Sequence, residues 1–151
     1  AMADDQVRVD MAAMCASQLQ QIGADVSAET RQSLDWAGQE ACIIGWGSPF
    51  DPDDHTYKVF TTGAGDNYTS YSNAAIDRIL AAARHTEDAA EREKLYLEFQ
   101  DKLTEHLPYT FIAYVDADYA MKANIHGITK DTVLGHHGVG VFWNIAQWSI
   151  A

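Results

Sequence analysis

A cluster of residues able to bind a metal ion follows a tryptophan in the segment IIGWGSPFDPDDHTY, residues 43–57. The cluster comprises Asp51, Asp53, Asp54 and His55. Carboxylates suit hard cations, and a histidine adds affinity for zinc or nickel. Their spacing matches neither the EF-hand loop nor the HExxH motif. Asp-Pro-Asp-Asp is also good turn chemistry, because proline fixes φ and aspartate side chains bond to backbone N–H groups. Turn structure, a ligand-site scaffold and direct metal ligation stay open, with turn structure favoured.

Other residues that could do chemistry lack the context that chemistry needs. His136 and His137 lie between glycines, but adjacent residues on an extended chain point in opposite directions, so a solvated loop is favoured over a metal or proton-transfer site. Ser48 has no Gly-x-Ser-x-Gly elbow around it, and Cys15 lies within an apolar helical pattern. Neither GxGxxG nor GxxxxGK[ST] occurs. No enzymatic activity and no cofactor are therefore expected.

The aromatic pair Trp46 and Phe50 is the strongest local indication of a binding site. Large rings beside a polar turn suit a small-molecule site, in which apolar walls bury the ligand and a few polar groups orient it. The alternative is that Trp46 belongs to the core and the following loop merely covers it. The residues themselves leave both interpretations open.

Composition and charge limit the possible partners. The chain has 151 residues, 47% of them hydrophobic, which is enough for one domain with a real core, and we predict a single domain over residues 1–151. Its formal net charge of -12 argues against nucleic-acid binding and against docking on an anionic membrane surface. Two cysteines, Cys15 and Cys42, are too few for a disulfide framework and are interpreted as small buried hydrophobic residues.

Three helices are predicted from hydrophobic periodicity and capping residues. The first covers residues 5–22, with Asp4 or Asp5 as its cap and Gly23 after its end. The second follows Asn73, and the third covers residues 88–106, where Leu95, Phe99, Leu103 and Leu107 recur every four residues. A short helix within residues 31–39 is left open.

Strands are predicted from apolar and β-branched runs. They cover residues 24–29, 41–46 and 109–115, followed by an extended stretch from Tyr119 and a last strand over residues 141–150. Residues 47–72 are expected to be a long connection, which is usually functional when it lacks regular structure. The sequence therefore predicts an α/β fold with a mixed sheet flanked by helices.

The succession of motifs resembles the C-terminal portion of the family 5 extracellular solute-binding proteins. It runs from QLQQIGADV through IIGWGSPFDPD, NYTSYSNAAIDRILAAAR and TEDAAEREKLYLEFQDKLTEHLPYTFIAY to HGI and FWNIAQW. These proteins are the peptide, nickel and oligosaccharide receptors of ABC importers. The resemblance implies one lobe of a type II periplasmic-binding-protein-like receptor that closes on its ligand. It covers nearly the whole chain and about a third of such a protein.

In that family the turn after the Gly-Trp strand end touches the ligand at the cleft between the lobes. The resemblance therefore assigns ligand binding to Trp46, Gly47, Ser48, Pro49 and Phe50. Peptide-binding members carry a carboxylate between the Gly-Trp and Asp-Pro pairs, whereas this interval reads Gly-Ser-Pro-Phe. A peptide ligand is thus not assured, and no family motif assigns His55 to nickel.

The resemblance also implies partners and a location. The partners are a small solute, an ABC transporter permease and the N-terminal lobe of the same receptor, with no nucleic acid. The location is extracellular or periplasmic, with a membrane anchor through an N-terminal segment absent from this chain. Two alternatives from other classes stay open. One is a metal-dependent hydrolase built on Asp51, Asp53, His55 and the histidines at 136 and 137, and the other is a sensor or interaction domain of similar fold.

Overall fold

Two compact units make up the chain, Ala1–Gly45 and Trp46–Ala151. The computed structural model describes residues 1–47, 51–116, 119–128 and 140–151. Helix α1 spans Gln6–Gln21, α2 Asp53–Phe60, α3 Ala74–His85 and α4 Ala89–His106. Strands β1, Ile125–His126, and β2, Ser149–Ile150, pair in antiparallel register. The single domain expected over the whole chain stays a prediction.

The first unit is built on α1. The Asp5 carboxylate accepts a hydrogen bond from the backbone N–H of Arg8 at 3.0 Å and so caps the helix start. Past the helix end, Gly23 has φ +89°, a left-handed conformation that only glycine adopts without strain. Most of the predicted apolar face of α1 is exposed, and its one buried residue is Ala16. A single 3-10 turn, Trp36–Gly38, follows.

The core of the second unit lies between α3 and α4. The buried residues are Ile76, Ile79, Leu80, Ala83, Tyr96, Phe99 and Leu103, with Tyr57, Phe60, Tyr71 and Leu95 packed against them. The side chain of Asn73 accepts hydrogen bonds from the first free N–H groups of α3, and Asp88 does the same for α4. Both predicted helices are confirmed. Phe99 and Leu103 belong to the core between these helices, and Phe99 also meets the ring of Phe60; no sheet covers them among the described residues.

The strand predictions are mostly wrong. Residues 24–29, 41–46 and 109–115 form no strand, and the predicted last strand is a 3-10 helix, Gly140–Gln147, followed by the two residues of β2. The expected long connection contains α2. Cys42 is exposed and Cys15 partly buried, and neither forms a disulfide, so the prediction that both are buried is wrong. No helix among the described residues is long and apolar enough to cross a bilayer.

Candidate functional site

Three aromatic side chains meet where the second unit begins, and we call Trp46, His55 and Tyr68 the aromatic cluster. The rings of Trp46 and Tyr68 stack with centroids 6.0 Å apart and planes 14° apart. The ring of His55 lies 5.7 Å from that of Trp46 and is tilted by 47°. Trp46 is only partly buried. Trp46, the tryptophan predicted to bind ligand, therefore stacks on the ring of Tyr68 and does not lie deep in the core.

Two polar ring atoms in the aromatic cluster are shielded from water. Nε1 of Trp46 and Nδ1 of His55 are both buried, and neither has a hydrogen-bond partner among the residues that the structure describes. Leaving a buried donor or acceptor unpaired costs about 1–3 kcal/mol. The aromatic cluster is therefore a place where the described residues leave two polar groups without compensation.

A loop between α2 and α3 positions Tyr68. The Asn67 amide donates to the carbonyl oxygens of Thr61, at 3.0 Å, and Tyr71, at 2.7 Å, and its Oδ1 accepts from the backbone N–H of Tyr71 at 3.0 Å. These three bonds close the loop on both sides of Tyr68 and set where its ring lies. The Asp66 carboxylate accepts from the Tyr68 hydroxyl at 3.3 Å. Burial and, second, the charge of Asp66 raise the pKa of Tyr68, so the phenol stays neutral at neutral pH.

Helix α2 positions His55, and ion pairs hold that helix in place. Asp53 pairs with Arg84 of α3 at 2.9 Å, and Asp51 pairs with Arg92 of α4 at 2.6 Å. Lys58 pairs with Asp54 within α2. The buried Val59 adds an apolar anchor on the same helix. Because two of these pairs reach different helices, the orientation of α2 and of His55 is tied to the α3–α4 core.

Asp51, Asp53 and Asp54, which we call the acidic cluster, have a structural role. The Asp51 carboxylate also accepts from the backbone N–H of Asp53 at 2.8 Å, as expected of turn chemistry. The hydrogen bond from Arg92 is the main reason that the pKa of Asp51 lies below its usual range, and Lys58 likewise lowers the pKa of Asp54. Each aspartate faces its own cation. Within the described residues, no three metal-ligating side chains come together.

The five residues predicted to bind ligand are only partly described. Trp46 and Gly47 lie at the start of the second unit. Ser48, Pro49 and Phe50 lie outside the described residues, as do His136 and His137, so their predicted roles stay predictions. The hydrolase alternative draws no support from Asp51, Asp53 and His55. Asp51 and Asp53 each pair with an arginine, and the Asp51 carboxylate also accepts a hydrogen bond from the first backbone N–H of α2.

Sequence reasoning named His55 only as a possible metal ligand, and it missed Tyr68 altogether. Both were placed in one long connection, because α2 was not recognised. A signal was present: Asp53 and Asp54 stand in the first turn and Lys58 in the last turn, which complements the helix dipole. A helix preceded by Asp-Pro could thus have been predicted. The stacking of Tyr68 on Trp46, by contrast, carries no local sequence signal.

Comparison with known proteins finds relatives over nearly the full chain, although no family model matches it. The oligopeptide-binding protein AppA of Bacillus subtilis is 28% identical in an alignment 161 residues long, which covers 97% of this chain and 28% of that protein. Protein XP55 of Streptomyces lividans is 32% identical over 135 residues, which cover 83% of this chain and 24% of that protein. The chain therefore spans about a quarter of the length of these relatives.

Solved structures agree with the sequence comparison. NikZ from Campylobacter jejuni, in complex with Ni(L-His), superposes with a TM-score of 0.78 at 37% identity, over 98% of this chain and 32% of that one. AppA from Bacillus subtilis, in complex with a nonapeptide, superposes with a TM-score of 0.76 at 27% identity, over 97% and 30% of the two chains. These similarities confirm the predicted fold class, one lobe of an α/β receptor, even though the paired strands among the described residues are short.

Proposed function

We propose that this chain, which belongs to the family 5 extracellular solute-binding proteins, contributes one wall of the ligand cleft of an ABC importer's receptor. The observation that carries the proposal is its similarity over 98% of its length to a receptor solved with Ni(L-His), and over 97% to one solved with a nonapeptide. The two neighbours hold different solutes on the same fold. The proposed role is thus solute binding without catalysis.

The aromatic cluster supports this role by its chemistry. The stacked faces of Trp46 and Tyr68 offer an apolar platform, and the buried ring nitrogens of Trp46 and His55 have no hydrogen-bond partner among the described residues. This is the usual composition of a small-molecule site. Ser48, Pro49 and Phe50 complete the proposed wall through the family resemblance. Affinity would come from closure of a second lobe over the solute, since a ligand that contacts both lobes stabilises the closed state.

The solute class is a peptide, a metal chelate or a sugar. The interval from Gly47 to Phe50 contains no acid, so a peptide ammonium group would find no carboxylate partner there. The next two carboxylates along the chain, those of Asp51 and Asp53, already pair with arginines. This arrangement favours a solute without a free ammonium group, unless the other lobe supplies the charge.

The proposed partners are the remainder of the same receptor and a transporter permease. The proposed location is the periplasm or the cell exterior, with an N-terminal anchor outside this chain. Relatives named as oligopeptide-binding proteins support a role in uptake.

Substitution of Trp46 in the full-length receptor tests the proposal. Calorimetry with a panel of dipeptides, tripeptides and nickel(II)–L-histidine would identify a bound probe. Trp46→Ala is expected to weaken that binding by at least about tenfold, which corresponds to about 1.4 kcal/mol. Trp46→Phe, which keeps an aromatic face, is expected to lose less. A receptor whose Trp46→Ala variant melts normally and binds every probe as tightly as the wild type would contradict the proposal.

A further inference from the structure

Four residues around the start of α3 lie at intervals of four, two and four along the sequence. We call them the loop anchors: Asn67, Tyr71, Asn73 and Asp77. Each loop anchor takes part in a hydrogen bond through its side chain. The first of them directly precedes Tyr68, whose ring stacks on that of Trp46. The loop anchors therefore stand next to the proposed solute site without contributing a ring to it.

The loop between α2 and α3, residues 61–73, is attached at both ends to the start of α3. Near its beginning, the two carboxylate oxygens of Asp77 accept hydrogen bonds from Thr62, one from the backbone N–H at 2.9 Å and one from the hydroxyl at 2.7 Å. Near its end, Asn73 donates to the Tyr71 hydroxyl at 3.1 Å, while its own Oδ1 caps the helix. The position of Tyr68 therefore depends on what holds the middle of the loop.

Asn67 holds the middle of the loop with both ends of its side-chain amide. Its Nδ2 donates to the carbonyl oxygens of Thr61, at 3.0 Å, and Tyr71, at 2.7 Å. Its Oδ1 accepts from the backbone N–H of Tyr71 at 3.0 Å and from the Thr69 hydroxyl at 3.3 Å. A primary amide has two donors and two acceptor sites, so the hydrogen-bonding capacity of Asn67 is fully used. Alanine, or aspartate with its lack of donors, would release both carbonyl oxygens.

The backbone of the loop is held in a conformation that carries a cost. Ser70, two residues after Tyr68, has φ +54°, in the left-handed region that residues other than glycine rarely occupy. Such a conformation persists only where the surrounding structure over-determines it. The bonds from Asn67 to Thr61 and Tyr71 lie on either side of Tyr68 and Ser70 along the chain. Without these bonds, we expect the loop to relax and to carry the Tyr68 ring away from its stack.

We propose that Asn67 is a positioning residue of the solute site, which holds the Tyr68 ring in its stack on Trp46 and so sets the affinity for solute. Asn67 acts through Tyr68, because the bonds of its side chain join residues of the loop in the described part of the chain. A ring that is already in place spares the solute the entropy cost of ordering it. The inference rests on the proposed function, since it takes the aromatic cluster as part of the solute site.

A double-mutant cycle on the full-length receptor tests whether Asn67 acts through Tyr68. Calorimetry measures the affinity for whichever probe the wild type binds among dipeptides, tripeptides and nickel(II)–L-histidine. Asn67→Ala and Tyr68→Ala are each expected to weaken binding by at least about tenfold. The double variant should bind about as weakly as Tyr68→Ala alone, because Asn67 then has no ring left to position. Losses that multiply in the double variant would overturn the inference.

Asp88→Ala is the matched control for a general loss of stability. Asp88 caps α4 by accepting hydrogen bonds from two backbone N–H groups, and it lies outside the loop. Its alanine variant is expected to lower the Tm and to leave the affinity nearly unchanged. An Asn67→Ala receptor that binds as tightly as the Asp88→Ala receptor would overturn the inference. Asn67→Asp keeps the Oδ1 acceptor and the size of the side chain, and it serves the same comparison, with the same expected loss, should Asn67→Ala not fold.

Fluorine NMR of the solute-free receptor, labelled with 3-fluorotyrosine, follows the ring itself. The resonance of Tyr68 is the one that disappears in Tyr68→Phe. Trp46→Ala is expected to shift this resonance, because it removes the stacked ring. Asn67→Ala should shift it too, and Asp88→Ala should leave it in place. An unshifted Tyr68 resonance in Asn67→Ala would overturn the inference.

Trp46→Ala separates this inference from the proposed function. A receptor whose Trp46→Ala variant binds every probe as tightly as the wild type would overturn the proposed function, and the Tyr68 resonance would still show whether Asn67 holds the ring. A receptor that loses affinity on Trp46→Ala but not on Asn67→Ala would overturn only the inference.

Discussion

Single ion pairs decide what the acidic cluster does. Asp51 pairs with Arg92 of α4, and Asp53 pairs with Arg84 of α3. These carboxylates, which could have ligated a metal ion, instead attach α2 to two other helices. The side chain of Asp51 is 54% exposed, so its pair with Arg92 contributes little to stability on its own. The geometric consequence is larger than the energetic one, because the pairs orient the helix that carries His55.

The Asp51–Arg92 pair predicts a specific titration. Arg92 lowers the pKa of Asp51, so Arg92→Met is expected to raise that pKa toward the ordinary value for aspartate. A depressed pKa contributes stability above the unfolded-state value of about 3.9, and this small contribution is lost as the pH falls through the folded-state pKa. Carbon NMR of the carboxyl groups measures the shift.

Lys58 provides the matched control for that titration. Lys58→Met is expected to raise the pKa of Asp54 and to leave that of Asp51 nearly in place, since Lys58 is the main cause of the lowered pKa of Asp54. Arg92→Met should show the reverse selectivity. Equal shifts of both carboxyl groups in both variants would mean that the pairs do not form in solution.

Helices and strands differ in how well the sequence specified them. Helices α3 and α4 follow from caps and four-residue periodicity, which are local, and Asn73 and Asp88 cap them as expected. The predicted strand at 109–115 has the right composition, but it forms no strand and its residues 110–115 are exposed, because a strand needs hydrogen-bond partners from elsewhere in the chain. Local sequence singled out Trp46 but left its role open, whereas Tyr68 is brought to it by the fold.

The cap of α3 gives a prediction at the scale of one element. Asn73 accepts from the backbone N–H groups of Ala75, at 2.9 Å, and Ile76, at 3.3 Å. Asn73→Ala is expected to cost about 1 kcal/mol in free energy of unfolding, because one side-chain acceptor serves two otherwise free donors. Asn73→Asp keeps the acceptor and serves as control. Urea denaturation measures both, and an alanine variant as stable as the aspartate variant would show that the cap is unimportant.

The packing of α4 on α3 gives a second element-scale prediction. Phe99 is only 4% exposed and meets Phe60 with ring centroids 5.4 Å apart. Phe99→Ala is expected to cost about 3–5 kcal/mol, the usual penalty for truncating a buried phenylalanine. Leu97, which is 55% exposed on the same helix, is the matched control, and Leu97→Ala should change stability by no more than about 0.5 kcal/mol. A urea melt showing less than about 1 kcal/mol for Phe99→Ala would place this helix face outside the core.

At the scale of the whole molecule, the chain corresponds to about a third of the solved proteins that it resembles. It covers 32% of NikZ and 30% of AppA in the solved structures, so the proposed second wall of the cleft would come from the rest of such a protein. The proposed solute site is therefore a half-site, with the aromatic cluster as its visible part.

Calorimetry on the isolated chain tests the half-site most directly. Titration with dipeptides, nickel(II)–L-histidine and short sugars is expected to show no tight binding. One lobe supplies only part of the contacts, whereas the translational and rotational cost of association stays the same. The full-length receptor, titrated with the same probes, is expected to bind at least one of them. Micromolar or tighter binding by the isolated chain would contradict the half-site and point to a self-contained site.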